Sequence, residues 1–203
     1  MPGRWRCPLE GSGEAASGVG YFFASALAAN VLFTGNLAGV DDVQYFTFEL
    51  AASSDVVLRT WSYAGGMNAA GSSITGGGFD TLVSLFSGVG AGAILIGAND
   101  DGIGVATDPG TGQAHDALLE SFGLTAGSYT VALTQFANFA NGPTLGDGFL
   151  GGGNAGFDGR SKAWALDIRG IDSASVPLPG TLALALLGLA ALGVRPRARS
   201  RRA

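Results

Sequence analysis

Val43-Gln44-Tyr45-Phe46-Thr47-Phe48-Glu49-Leu50 carries large apolar side chains with period two. Successive side chains of a strand point to opposite faces, so Phe46, Phe48 and Leu50 share one face and predict a strand laid against a core. The same habit repeats outward from it. Residues 56–63 follow a Ser-Ser-Asp turn and are again β-branched and aromatic. Residues 81–87, 93–97, 118–124, 128–136 and 163–169 read as further strands. Turn clusters separate them, among them Gly76-Gly77-Gly78, Asn99-Asp100-Asp101-Gly102 and Ala126-Gly127. Seven or eight short strands with no strong amphipathic helix predict an all-β chain folded as a β-sandwich. Residues 134–162 read as one long Gly-rich loop, a length that is unusual in a compact domain and often functional.

Composition agrees with that reading. Glycine fills 35 of 203 positions, well over twice its usual share, and 13% of residues are charged. Glycine weakens helix interiors by roughly 1 kcal/mol each, so turns and strands are favoured. A hydrophobic share of 47% argues against disorder. The length suits one domain of about 130–150 residues with terminal segments on either side.

Charge is unevenly placed. Five of the eleven basic residues are Arg195, Arg197, Arg199, Arg201 and Arg202. Between positions 19 and 175 only Arg59, Arg160, Lys162 and Arg169 stand against fourteen acidic residues, a net charge of −10. An acidic body does not neutralise phosphates, so no nucleic-acid partner is expected, whereas cations are attracted. The single cysteine, Cys7, permits no intramolecular disulfide and no cysteine-built zinc site.

The C-terminal end has three parts. Val176, Pro177, Leu178, Pro179 and Gly180 form a proline-containing motif, residues 181–194 are an apolar segment, and residues 195–203 are rich in arginine. The unbroken run 182–194 predicts a short hydrophobic helix of about 20 Å, marginal against a hydrocarbon core of about 30 Å. The arginine cluster predicts a cytoplasmic end, with the body outside the cell. A buried core helix is disfavoured, because the run has no polar face and ends in a charge block. At the other end, Arg4 and Arg6 offer a positive region and residues 19–29 an apolar one, but Glu10, Glu14 and the polar stretch 11–18 interrupt the pattern. Residues 1–29 therefore read as a leader or a degraded signal peptide. The domain itself is expected over 30–172, and the tail over 173–203.

A Pro-x-Pro motif, a marginal span and a basic end resemble the PEP-CTERM sorting signal of Gram-negative bacteria. Leu178 stands where the family name implies Glu. The resemblance implies recognition by an exosortase, a membrane cysteine protease that removes the tail. The body is similar to another family. Phe79-Asp80 ahead of a strand, then Gly97-Ala98-Asn99-Asp100-Asp101-Gly102, then Ala126-Gly127-Ser128-Tyr129-Thr130-Val131, resemble the bacterial pre-peptidase C-terminal domain over about residues 41–135. That resemblance implies a jelly-roll-like sandwich, of a kind found beside secreted enzymes and in PEP-CTERM proteins.

Asp80, Asn99, Asp100, Asp101 and Asp116 are the best set of hard oxygen ligands, and calcium is the ion they would take. The alternative for Asn99-Asp100-Asp101-Gly102 is a hydrogen-bonded turn. His115, the only histidine, has no motif partner and reads as an exposed turn residue; no Gly-x-Ser-x-Gly elbow exists. Trp61, Tyr63, Tyr129 and Trp164 would serve either as a carbohydrate platform or as core. No catalytic residue is expected. The chain thus reads as an exported cell-surface or extracellular-matrix protein, sorted through the inner membrane and associated with exopolysaccharide. A calcium-dependent or carbohydrate-binding module is one alternative, and a secreted hydrolase working through a carboxylate pair is the other.

Overall fold

The computed structural model describes residues 29–153 and 156–175. The strands are β1 (Ala29–Asn36), β2 (Gln44–Leu50), β3 (Ser54–Thr60), β4 (Gly66–Met67), β5 (Ser73–Ile74), β6 (Thr81–Ser87), β7 (Ile94–Asn99), β8 (Leu118–Leu124), β9 (Gly127–Gln135), β10 (Ala163–Ile171) and β11 (Ser173–Ser175). One 3-10 turn, Leu145–Asp147, is the only helical element among the described residues. The strands form a four-stranded sheet in the order β1-β10-β3-β8 and a five-stranded sheet in the order β11-β2-β9-β6-β7; β4 and β5 make a separate hairpin. Every pairing between these strands is antiparallel. The two large sheets enclose one core, and the chain is an all-β sandwich as its periodicity predicts. The hydrophobic helix, the motif Val176–Gly180 and the arginines from Arg195 to Arg202 lie outside the described residues.

The period-two stretch behaves as its pattern requires. Phe46, Phe48 and Leu50 are buried, while Tyr45 and Glu49 on the alternate positions are exposed. Phe48 stacks on Tyr129 of β9 with ring centroids 5.1 Å apart. Phe46 meets Phe33 at 4.6 Å and the edge of Trp164 at 5.5 Å, so aromatic contacts tie the two sheets together. Trp164 needs Gly35 opposite it, because a Cβ there would lie 2.5 Å from its ring.

Two boundaries differ from expectation. Ala29, placed in the leader, is the first residue of β1, and Ser173–Ser175, placed in the tail, pair with β2. β1 was hidden because Val31-Leu32-Phe33 is a continuous apolar run rather than an alternation. β11 has only three small residues and no period to read. It pairs antiparallel with β2, Ser173 opposite Glu49, Ala174 opposite Phe48 and Ser175 opposite Thr47.

Strands β6 and β9 are buried on both faces. Val83, Leu85, Val131 and Leu133 point into the sandwich; Phe86 and Ala132 point out of it. The loop expected over 134–162 supplies the outer cover. It folds back over the five-stranded sheet and sets Ala140, Leu145 and Phe149 against Phe86 and Ala132. Backbone bonds from Leu145 N to Ala93 O (2.9 Å), Gly146 N to Ala91 O (2.8 Å) and Leu95 N to Pro143 O (2.8 Å) hold it there. The glycines of the loop let backbone approach backbone, and its few apolar side chains do the packing.

If this loop is part of the core, Phe86→Ala will cost about 3–5 kcal/mol of stability, as for a fully buried aromatic. Urea unfolding measures it, and a loss under about 0.5 kcal/mol, typical of a surface site, would contradict the packing.

Candidate cation site

Three chain segments meet at one end of the sandwich. Asp80 immediately precedes β6, Asp100 and Asp101 follow β7, and His115-Asp116 lead into β8. Hydrogen bonds lock them together. Thr81 N donates to His115 O (3.4 Å), Gly102 N to Asp116 O (3.0 Å), and Phe136 N, just past β9, to Asp80 O (3.1 Å). Beneath them the Thr60 and Thr81 hydroxyls pair at 2.6 Å, and Ala117 N donates to Thr60 Oγ1 at 2.7 Å.

Of the five expected oxygen ligands, the fold brings Asp80 and Asp101 together. His115 Nδ1 lies 2.7 Å from Asp101 Oδ1 and 3.7 Å from Asp80 Oδ2. One ligand atom from each of these three residues lies within 4.8 Å of the others. Asn99 instead braces the turn, its Oδ1 accepting from Leu118 N and its Nδ2 donating to Asp101 O. Asp100 Oδ1 accepts from Asp101 N. Asp116 turns inward and is 2% exposed. Its Oδ1 accepts from Ser62 N (2.6 Å), Tyr63 N (3.0 Å) and Thr60 Oγ1 (3.3 Å), and its Oδ2 from Ala64 N (2.9 Å). Those donors occupy its oxygens, so Asp116 builds the site's frame and does not face the other carboxylates.

His115 is not the exposed turn residue that its sequence context suggests. Its side chain is 27% exposed, and its ring packs edge-on against Tyr63 at 4.8 Å. No local spacing announces this, because Asp80, Asp101 and His115 belong to three separate segments. The proposed aromatic platform does not form either. Trp61, Tyr63, Tyr129 and Trp164 are all buried, none more than 8% exposed.

Asp80 and His115 line a pocket of about 380 Å³ whose walls include Tyr63, Gln135, Phe157 and Arg160. The Arg160 guanidinium stacks 3.7 Å over the Tyr63 ring, pairs with Asp108 and donates to Gly78 O and Tyr63 O. That hydrogen bond from Arg160 is the main reason the Asp108 carboxyl is held below its ordinary range. Arg160 is thereby spent on structure, and the pocket keeps an excess of acceptors. Asp80 Oδ1 is buried without a hydrogen-bond partner, and so is Gln135 Oε1. Gln135 ends β9, is 4% exposed and donates through Nε2 to Gly156 O. Burial pushes the Asp80 carboxyl up to about 7; His115 opposes the shift, and Asp101, Asp100 and Asp116 add to it.

Two carboxylates and an imidazole closing on one point suit a cation. One carboxylate oxygen of Asp80 and one of Asp101 lie within 4.8 Å of each other. No protein-family model matches the chain, and no curated protein matches its sequence.

The raised Asp80 pKa has a definite sign. The folded state holds this proton more tightly than the unfolded state, so its contribution is complete below about pH 4 and is lost as pH rises through about 7. In chelator-treated buffer, Asp80→Asn is expected to remove that slope and to stabilise the chain at pH 8 by roughly 1–3 kcal/mol. That figure is discounted from about 1.4 kcal/mol per pKa unit because water reaches part of the carboxyl. Thermal melting from pH 4 to 8 tests it, and parallel profiles for both proteins would refute it.

Proposed function

We propose that the chain is an exported cell-surface or extracellular-matrix protein whose sandwich binds rather than catalyses. Export rests on the C-terminal sequence: the motif Val176 to Gly180, the marginal apolar segment 181–194 and the arginines from Arg195 to Arg202. Their order is that of a signal read by an exosortase-like membrane protease. On this reading the precursor is held in the inner membrane by the apolar segment, with the arginines on the cytoplasmic side. The mature body is then released to the surface. The antiparallel sandwich is compatible with a jelly-roll-like relative of the pre-peptidase C-terminal domain.

The observation that carries the binding half is the convergence of Asp80, Asp101 and His115 within 4.8 Å of one another, beside the pocket that Asp80 and His115 line. A cation held there presents open coordination positions to hydroxyl or carboxylate oxygens, which an exopolysaccharide supplies in abundance. The acidic body makes direct attraction to an anionic polymer unfavourable, so a bridging cation has work to do. Catalysis is disfavoured by chemistry. The only histidine is engaged by two carboxylates, and no nucleophile motif is present.

Expression of the full chain in an exosortase-bearing host tests both halves. Intact mass and cell fractionation are expected to find a surface form lacking the tail, and replacing the five C-terminal arginines by Gln is expected to impair membrane retention of the precursor. The surface form should sediment with purified exopolysaccharide and lose that association in chelator. Full-length protein confined to the cytoplasm would sink the sorting reading; sedimentation indifferent to chelator would sink the cation-bridged one.

A further inference from the structure

We infer that Asp80, Asp101 and His115, backed by the Gln135 side-chain carbonyl, form a site for a divalent first-row transition ion of the zinc or manganese kind, not for calcium. The inference rests on the cation-binding reading above and sharpens it. Calcium requires six to eight oxygens, mostly from carboxylates and carbonyls. The fold withdraws most of the oxygens that the sequence offers. Asp116 is saturated by backbone and threonine donors, Asn99 is spent on its own turn, and Asp100 accepts from Asp101 N and stands outside the cluster. Asp80, Asp101 and the Gln135 carbonyl remain, and calcium would depend on water for the greater part of its shell.

The fourth donor is an imidazole nitrogen, which suits zinc and disfavours calcium, while the two carboxylates also suit manganese, a smaller ion than calcium. Ligand bonds of about 2.0–2.2 Å hold neighbouring donor atoms roughly 3.0–3.5 Å apart in octahedral or tetrahedral shells. The distances from His115 Nδ1 to Asp101 Oδ1 and Asp80 Oδ2, 2.7 Å and 3.7 Å, bracket that spacing. The Asp80 and Asp101 oxygens, within 4.8 Å of each other, must draw closer, and Asp101, half exposed, has room to move.

A second observation points to a ligand independently of this cluster. Gln135 belongs to a different strand, is 4% exposed, and has its amide nitrogen tied to Gly156 O. That bond fixes the orientation of the amide and leaves Oε1 buried without a donor, on a residue that lines the same pocket as Asp80 and His115. Asp80 Oδ1 is in the same condition. Buried acceptors are ordinarily satisfied. Two buried, unsatisfied acceptors on separate segments that line one pocket, beside an imidazole, mark a place where a cation would complete the bonding.

The full chain, purified in mild detergent and stripped with chelator, is titrated with Zn²⁺, Mn²⁺ and Ca²⁺ by calorimetry in a non-coordinating buffer. The expected result is one zinc or manganese ion per chain, bound at least tenfold more tightly than calcium, with a matching rise in melting temperature. Asp101→Asn, at a partly exposed position, and His115→Ala should each weaken transition-ion binding at least tenfold, and Gln135→Leu should weaken it severalfold. Cobalt substitution adds a spectroscopic readout, since its visible absorption changes when an imidazole ligand is lost. Calcium bound more tightly than zinc and manganese, and lost in Asp101→Asn, would overturn this inference and leave the cation-binding reading standing. No ion bound would overturn both. Zinc binding unaltered in Asp101→Asn and His115→Ala would mean an adventitious ion only, and would also overturn it.

Discussion

The Asp116 carboxylate is the knot on which this end of the molecule depends. It is buried, and a buried carboxylate without donors would be strongly destabilising. The backbone at Ser62, Tyr63 and Ala64 turns so that three consecutive N–H groups face it, and the Thr60 hydroxyl adds a fourth donor. The segment that leads into β8 is thereby fixed to the end of β3, one strand over in the same sheet. The Thr60–Thr81 hydroxyl pair carries the tie across to β6 in the other sheet. Because His115 is the neighbour of Asp116, this knot also decides where the imidazole stands. Asp80, immediately before Thr81, is placed by the same set of bonds.

The rest of the architecture follows from how the strands connect. In the two large sheets only β6 and β7 are both consecutive in sequence and paired; the other connections pass from one sheet to the other. Strand pairing is therefore mostly long-range, and side-chain packing between sheets must choose the partners. The aromatic set Phe33, Phe46, Phe48, Tyr129 and Trp164 does this from both sides of the core. The central strands β6 and β9 then present a second apolar face to the outside, and the Gly-rich loop is recruited to cover it. Past that cover, Phe157 and Arg160 form the outer wall of the pocket beside Asp80 and His115. The pocket is a consequence of closing the sandwich with a loop instead of another strand.

The chemistry of the pocket comes from an imbalance. Arg160, the cation nearest to hand, is consumed by Asp108 and by the carbonyls of Tyr63 and Gly78. Asp80, Gln135, Asp158 and His115 line the cavity, Asp101 pairs with His115 beside it, and burial makes the charged form of Asp80 costly. Taking up a proton relieves the cost of burying that charge, and a bound metal ion would relieve it in the same way.

The sequence by itself determined the class of fold and the position of most strands. Period-two alternation in β2 and the turn clusters around it depend on near neighbours, and near neighbours are visible in a linear text. It also marked Asp80 and Asp101 as oxygen donors, because each stands beside turn-forming residues at a strand end. Strand β1 escaped because an unbroken apolar run looks the same in a leader as in an edge strand, and β11 because three small residues carry no period. The tertiary structure alone decided that Asp116 is saturated, that Trp61, Tyr63, Tyr129 and Trp164 are core, and that His115 and Gln135 stand beside Asp80. Those outcomes turn on which segments the two sheets bring together and which backbone N–H groups are left over when they close. Both are settled by three-dimensional packing and hydrogen-bond satisfaction, which no local stretch of sequence contains.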